Sequence, residues 1–116
     1  MVARHPLSDA ELDRVFHALA DATRRDIVAR VMAGENASIS ALAARYDMSF
    51  AAVQKHVAVL EGAGLVSKHP QGRERMVRAD PERIARAREL LVWLEGMWRE
   101  RFSQLDKVLA QPTDPE

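Results

Sequence analysis

The sequence has no cysteine, no net charge and no long uncharged apolar stretch. Without cysteine the chain can form neither a disulfide nor a thiolate metal site, and it has no cysteine nucleophile. No apolar stretch is long enough to cross a membrane, and the amino-terminal region lacks the basic segment and apolar run of a secretory signal. We therefore expect a cytoplasmic protein with no membrane contact.

Catalytic and metal-binding patterns are also missing. No nucleophile, base and orienting residue occur together, and no glycine-rich phosphate loop is present, so we expect no enzyme and no cofactor. The four histidines lie in different predicted elements, and only Asp13 and His17 have the i, i+4 spacing of two ligands on one helix. Two such ligands alone hold a metal weakly, so a surface ion pair is the preferred interpretation.

The length of 116 residues fits one domain with one core. We assign residues 1–110 to this domain and residues 111–116, which contain two prolines and no apolar side chain, to a disordered tail. The zero net charge argues against a nucleic-acid partner, but residues 45–78 hold six basic and three acidic side chains. This local excess fits a phosphate-binding surface, and ordinary variation of a protein surface is the alternative.

Capping residues and apolar spacing predict a mainly helical fold. The third helix is expected to begin after Ser40 and the fourth after Ser49, because serine side chains cap helix starts. These two helices and the turn at residues 47–48 form a helix-turn-helix, and a hairpin turn around Gly72 adds a two-stranded wing. The predicted helices lie at about residues 8–19, 23–32, 41–46, 50–63 and 81–109, and the strands at residues 65–69 and 74–78.

The fourth predicted helix has one apolar and one polar side. Val53, Val57 and Leu60 recur at i, i+4 and i+7 and should face the core, so the polar residues face outward. An α-helix fits the major groove of B-DNA, where its amino-terminal residues reach base edges, and a basic wing can bind phosphates or the minor groove beside it. The sequence therefore predicts binding to double-stranded DNA. The candidate contact residues are Ser49, Phe50, Gln54, Lys55, His56, Arg73 and Arg75.

Each candidate has an alternative interpretation. Gln54 and Lys55 are also ordinary solvent-facing helix residues, and Phe50 can staple the turn to the core. His56 can be a buried histidine bonded to backbone, and the two wing arginines can be solvated residues of a glycine turn. A protein-interaction module on the same scaffold is the alternative function, favoured by Phe50 and by the zero net charge.

The last predicted helix is unusually long. Asp80 and Pro81 mark its start, and Ile84, Leu91 and Trp98 open an apolar repeat of seven residues. At about 45 Å this helix is longer than one small domain can cover, which predicts a homodimer. The expected interface residues are Leu12, Phe16, Leu91, Leu94, Trp98, Phe102 and Leu105. An aromatic and methionine cluster on this helix is typical of such an interface. The alternative is a pocket between subunits for an unknown small apolar effector, lined by Trp93, Met97, Trp98 and Phe102.

Three segments carry a family resemblance: ALADATRRDIVARV, SISALAARYDMSFAAVQKHVAVLEGAGLV and GRERMVRADP. In this order and spacing they resemble the ArsR family of bacterial winged-helix repressors over residues 12–80. The later WLEGMWRERFSQLDKVL is similar to members with a long aromatic-rich last helix and extends the match to about residue 109. The resemblance implies a homodimer, built from the first and last helices, that represses transcription at a palindromic operator until a signal releases it.

The resemblance assigns the recognition-helix and wing roles to the same seven candidate residues. Two positions depart from the family pattern. Phe50 stands where relatives often have a polar or basic residue, and Met76 and Val77 stand where paired tyrosines often end the second wing strand. The cysteines and last-helix histidines that bind metals in metal-sensing members are absent.

Overall fold

The computed structural model of the chain describes residues 7–110. These residues form five helices and one antiparallel pair of strands, which confirms the mainly helical fold with a hairpin wing. The predicted disordered tail, residues 111–116, lies outside the described residues. The elements are α1 (Asp9–Leu19), α2 (Ala22–Met32), α3 (Ile39–Ala43), α4 (Phe50–Gly62), β1 (Val66–Gln71), β2 (Glu74–Ala79) and α5 (Pro81–Ala110).

Side-chain caps define the first two helix starts. At α1 the Glu11 amide donates to the Ser8 hydroxyl at 3.1 Å, and the Ser8 amide donates to the Glu11 carboxylate at 2.9 Å, so these two residues form a capping box. At α2 the carboxylate of Asp21 accepts from the amide of Arg24 at 3.0 Å. These bonds satisfy amides that have no partner within the helix.

The start of α3 differs from the prediction. Ser38 caps this helix, and Ser40 does not: the Ser38 hydroxyl accepts from the amide of Ala41 at 3.0 Å. The earlier start includes both Ile39 and Leu42 in the helix, three residues apart on its buried side. Burial of these two side chains therefore selects the earlier serine, and the turn to α4 takes residues 44–49 rather than 47–48.

The core lies between α1 to α4 and the base of the wing. Its largest fully buried side chains come from every one of these parts, and they include the three α4 residues predicted to face inward. In α5, Ala87 is the buried residue. The largest fully buried apolar side chains are Val15, Ile27, Leu42, Val53, Val57, Leu60 and Leu65.

The wing is a tight hairpin whose base is attached to α3. Gln71 pairs with Glu74, so two residues form the turn, and Gly72 has a φ of +64° at its first position. A positive φ at that position alone is the pattern of a type II′ turn. At the base, the amide of Val77 donates to the carbonyl of Ala37 at 2.9 Å. This bond holds the second strand beside the residue that precedes the α3 cap.

Helix α5 leaves the domain after its first turns. Asp80 accepts hydrogen bonds from the amides of Glu82 and Arg83 and begins the helix, as predicted. All residues from 91 to 110 are exposed, although many of them are large and apolar. The molecule measures 80 × 31 × 21 Å, because this half of α5 projects from the body. Within residues 7–110 no helix has the length and apolar content needed to cross a membrane.

We predict that Ser38→Ala lowers the free energy of unfolding by about 1 kcal/mol, because it removes the cap of α3. The matched control is Ser40→Ala, two residues away, where the side chain is exposed and the change should stay within about 0.5 kcal/mol. Urea unfolding of both variants measures the difference. Equal losses for the two serines would contradict the observed cap.

Candidate nucleic-acid interface

One side of α4 is open to solvent. Ala51, Gln54, Lys55 and Ala58 are exposed, and their spacing of three, four and seven residues puts them on one face. Two small alanines on this face let another surface approach the helix closely. Ser49 caps the helix, and its hydroxyl accepts from the amide of Ala52 at 3.1 Å. The side of α4 predicted to face outward is therefore a narrow polar strip between alanines.

Phe50 lies at the first turn of α4, and its side chain is 47% exposed. It does not belong to the buried core cluster or to the apolar residues packed against that cluster. This exposure favours Phe50 as a contact residue over Phe50 as a staple to the core. Its ring is available to an external partner at the end of the helix that carries the candidate residues.

His56 is turned towards the start of α2 rather than towards the open strip. Its Nδ1 lies 3.4 Å from a guanidinium nitrogen of Arg24 and 3.9 Å from the carboxylate of Asp21, and the side chain is 21% exposed. The interpretation as a buried histidine bonded to backbone is wrong, because His56 is bonded to a side chain and is only partly buried. Its contact with DNA stays a prediction. Since arginine can only donate, Nδ1 accepts and the ring proton lies on Nε2.

Arg24 connects three helices. Its guanidinium donates to the carbonyls of Ala18 at 2.7 Å and His17 at 3.1 Å at the end of α1. The His17 carbonyl also accepts from the amide of Ala20 at 3.2 Å. The same guanidinium reaches His56 in the middle of α4. Arg24 therefore fixes α4 relative to α1 and α2. The sequence pattern gave no sign of this because His56 lies 32 residues from Arg24 in the chain.

A polar cluster fastens the turn before α4 to α2. The Tyr46 hydroxyl donates to Asp26, which also accepts from Arg30 at 2.8 Å. These two bonds, that of Tyr46 first, hold the pKa of Asp26 below its ordinary value. Burial and then the bond to Asp26 raise the pKa of Tyr46 to about 12, so its proton stays in place. Arg30 continues the cluster to Glu35 at 3.2 Å.

The wing presents exposed arginines on both faces. Arg73 lies in the turn. Arg75 lies in β2, opposite Pro70 of β1. Because side chains alternate along a strand, Arg78 points to the face opposite Arg75. Arg78 is one of the six basic residues of segment 45–78 but is not among the candidates predicted from the sequence. The alternation of side chains along β2 was the signal that could have identified it as a cation on the second face of the wing.

Most basic residues of α4 and the wing form no ion pair with the described part of the chain. Among the ion pairs formed within residues 7–110, none involves Lys55, Arg73, Arg75 or Arg78. Lys68 differs, because its ammonium group lies 3.2 Å from the carboxylate of Glu61. Lys55 on α4 and the three arginines of the wing are therefore open to an anionic partner.

The predicted dimer residues fall into two groups. Leu12 is only 3% exposed and packs within its own subunit, and Phe16 is half-buried, so α1 offers little apolar surface. The α5 residues are all exposed, with Trp98 at 62%. Trp98 and Phe102 meet edge to face at 4.9 Å on this open surface. The group with surface to offer a partner is Leu91, Leu94, Trp98, Phe102 and Leu105.

Comparison with known proteins gives the family. A family profile described as a helix-turn-helix domain matches residues 19–69. An ArsR-like transcriptional regulator from Rhodococcus sp. RHA1 is 32% identical, with a TM-score of 0.73 over 90% of this chain and 96% of that one. The chain belongs to the ArsR family. It is thus a transcriptional regulator with a helix-turn-helix DNA-binding domain, as the resemblance implied.

Two further relatives extend this picture. The HTH-type transcriptional regulator Rv2034 of Mycobacterium tuberculosis is 42% identical over 76 residues, which cover 66% of this chain and 70% of that protein. A winged helix-turn-helix domain of Mb0332 from Mycobacterium bovis, described as homodimeric, is 21% identical with a TM-score of 0.60, over 77% of this chain and 88% of that one. At this identity the second comparison supports the fold alone.

Metal ligands are not gathered anywhere in the described part of this ArsR-family chain. Across residues 7–110 no group of three or more histidine, aspartate or glutamate side chains could hold an ion. The aromatic side chains of α5 lie on an open helix surface and do not enclose a cavity within one subunit.

We predict that Arg24→Ala and His56→Ala are energetically coupled by about 1 kcal/mol in a double-mutant cycle, because each removes one partner of the same hydrogen bond. His56→Asn should retain most of the wild-type stability, since its amide oxygen can accept from Arg24. Urea unfolding at one fixed protein concentration and slightly alkaline pH measures the four proteins of the cycle and His56→Asn. A coupling of zero would show that the bond does not link α2 and α4.

We predict that Asp26→Asn lowers stability at neutral pH and has little effect in acid. The pKa of Asp26 is lowered in the folded state, so its stabilisation is present above its ordinary pKa and is lost as the pH falls through the folded value. Unfolding at about pH 7 and about pH 3 tests this pattern. The control is Asp13→Asn on the exposed side of α1, and a loss for Asp26→Asn that does not shrink in acid would refute the expectation.

Proposed function

We propose that this ArsR-family protein acts in the cytoplasm as a homodimeric repressor that binds an inverted-repeat operator in double-stranded DNA. The observation that carries the proposal is the exposed polar strip of α4, together with cations of α4 and the wing that form no ion pair within residues 7–110. A DNA duplex offers both complements: base edges in the major groove and phosphates on either side.

The strip provides side chains suited to base edges. Gln54 can pair with adenine through its amide, and Lys55 can donate to guanine or to a phosphate. Ala51 and Ala58 leave room for the groove walls to approach the helix. Phe50, at the end of α4, can contact a thymine methyl. Ser49 contributes its hydroxyl oxygen at the same end, in addition to its capping bond.

His56 has a different role in this proposal. It is held by Arg24 and Asp21, so it positions α4 and does not read a base. The wing contributes Arg73 and Arg75, with Arg78 as an addition from the structure. These arginines bind phosphates or the minor groove and set the position of the protein on the duplex without reading sequence.

Homodimer formation rests on α5. Its projecting half exposes many large apolar side chains that its own subunit does not cover, and a contiguous apolar surface of this kind marks an interaction site. The Mycobacterium bovis domain, which shares this fold, is itself described as homodimeric. Two recognition helices about 34 Å apart would enter successive major grooves, which is why we expect an inverted repeat.

A second candidate function is favoured by one observation. The exposed ring of Phe50 lies at the amino-terminal end of α4, the end that is proposed to contact bases. An apolar ring at this place also suits contact with a protein surface. A protein-interaction module would show no retarded band with the DNA upstream of its own gene, even at low salt. A retarded band that is competed by specific but not by random DNA supports the repressor.

We predict that Lys55→Ala and Arg73→Ala each weaken operator binding, and that they do so differently. Arg73→Ala should act equally on all sequences and lower the slope of log affinity against log salt by about one. Lys55→Ala should weaken the operator more than random DNA if it contacts a base, by about 1–3 kcal/mol.

Fluorescence anisotropy at several salt concentrations measures both variants, using the upstream fragment that footprinting identifies. Arg14→Ala is the matched control, because this exposed arginine lies on α1. Unchanged affinity in either variant would remove that residue from the interface.

A further inference from the structure

The apolar residues of the projecting half of α5 are arranged symmetrically about Trp98. Leu94 and Phe102 lie four residues from it, and Leu91 and Leu105 lie seven residues from it. At 100° per residue, all of them fall within about 40° of Trp98 around the helix. The spacing of this stripe is therefore the same in both chain directions, so it can face an identical stripe that runs the opposite way.

Charged residues follow one flank of the stripe. Arg88, Glu95, Arg99 and Asp106 lie between about 60° and 100° from Trp98, all on the same side. Their signs alternate as plus, minus, plus, minus along the helix. Arg88 and Asp106 have their midpoint at residue 97, and so do Glu95 and Arg99. Reversing the helix about this point therefore superimposes every charge on one of opposite sign.

We propose that α5 pairs in antiparallel orientation with α5 of a second copy, with the two Trp98 side chains beside the two-fold axis. The proposal rests on the homodimer proposed above and specifies its direction and register. A two-fold axis perpendicular to both helices keeps the charged flanks on the same side, where they meet. Glu95 then faces Arg99 of the partner subunit, and Arg88 faces Asp106 of the partner subunit.

A parallel pair would not use these charges. It would place the charged flank of one helix against the opposite flank of the other, which carries Leu90, Met97, Val108 and a single charge, Arg101. Opposite charges across an interface set partner orientation even where they add little stability. The charge order therefore favours the antiparallel register over the parallel one.

The register also sets the distance between the two DNA-binding parts of the dimer, each made of α1 to α4 and the wing of one subunit. Ala87, the buried residue of α5, marks the point where the helix leaves the body. It lies eleven residues before Trp98, which corresponds to about 16 Å along the helix. Two such lengths end to end separate the bodies by about 33 Å, close to the roughly 34 Å of one turn of DNA.

Mixing two charge variants tests the pairing of the flanks. Glu95→Lys and Arg99→Glu each place like charges opposite one another in their own homodimer. In a heterodimer of the two variants, both cross-subunit pairs are opposite in sign. Within each chain the 3.1 Å bond between Glu95 and Arg99 is lost in homodimer and heterodimer alike, so it does not affect the comparison.

Random exchange between equal amounts of the two variants makes half of all dimers heterodimers. We expect a larger heterodimer fraction, and native mass spectrometry after subunit exchange measures it. The control mixture combines Glu100→Lys with Lys107→Glu, whose positions lie on the far side of the helix from Trp98. That mixture should stay at the random proportion. A random proportion for the first mixture would overturn the proposed contact between the charged flanks.

Cysteine cross-linking tests the direction independently, because the chain has no cysteine of its own. Leu91→Cys or Leu105→Cys alone should not form a disulfide between subunits, since the antiparallel register separates identical positions by about 21 Å. A mixture of the two should cross-link readily, because position 91 of one copy faces position 105 of the other. Disulfide formation by either variant alone would show a parallel or shifted pair.

Light scattering and DNA binding of the wild-type protein separate this inference from the proposed function. A dimer that binds the operator but fails both tests would overturn the register and leave the homodimeric repressor standing. A protein that stays monomeric at the concentration where it binds the operator would overturn the homodimer and the register together.

Discussion

The orientation of α4 about its own axis depends on three buried side chains. Val53, Val57 and Leu60 are fully buried and make one side of the helix part of the core. Turning the helix by a single residue would bring Gln54 into that core, where an unpaired amide costs roughly 1–3 kcal/mol, and would expose valine in its place. Hydrophobic burial therefore decides which residues the protein can present to DNA.

Polar contacts add the precision that burial alone does not provide. Arg24 joins the end of α1 to His56 on α4, and Asp26 joins α2 to the turn at Tyr46. The bond between Val77 and Ala37 ties the wing to the residue before the α3 cap. The recognition helix, the turn and the wing are thus each fastened to the body by a separate contact, so the candidate contact residues lie on a rigid surface.

Local pattern was sufficient to predict most of the fold. The period of α4, the glycine turn of the wing and the long apolar repeat of α5 are each encoded within short stretches, and the structure contains all three. Two points needed the tertiary structure. Ser38 and Ser40 are equally good caps by type, and burial of Ile39 selects between them. His56 faces Arg24, which is distant in sequence, so no local pattern could assign its partner.

The absence of net charge has a consequence for how the protein searches a genome. A strongly basic regulator is held on any DNA by displaced counterions, whatever the sequence. This chain has seventeen basic and seventeen acidic groups, so distant phosphates attract it little, and its few unpaired cations act only at close range. Random DNA should therefore retain it weakly, leaving a larger share of the free molecules available to the correct site.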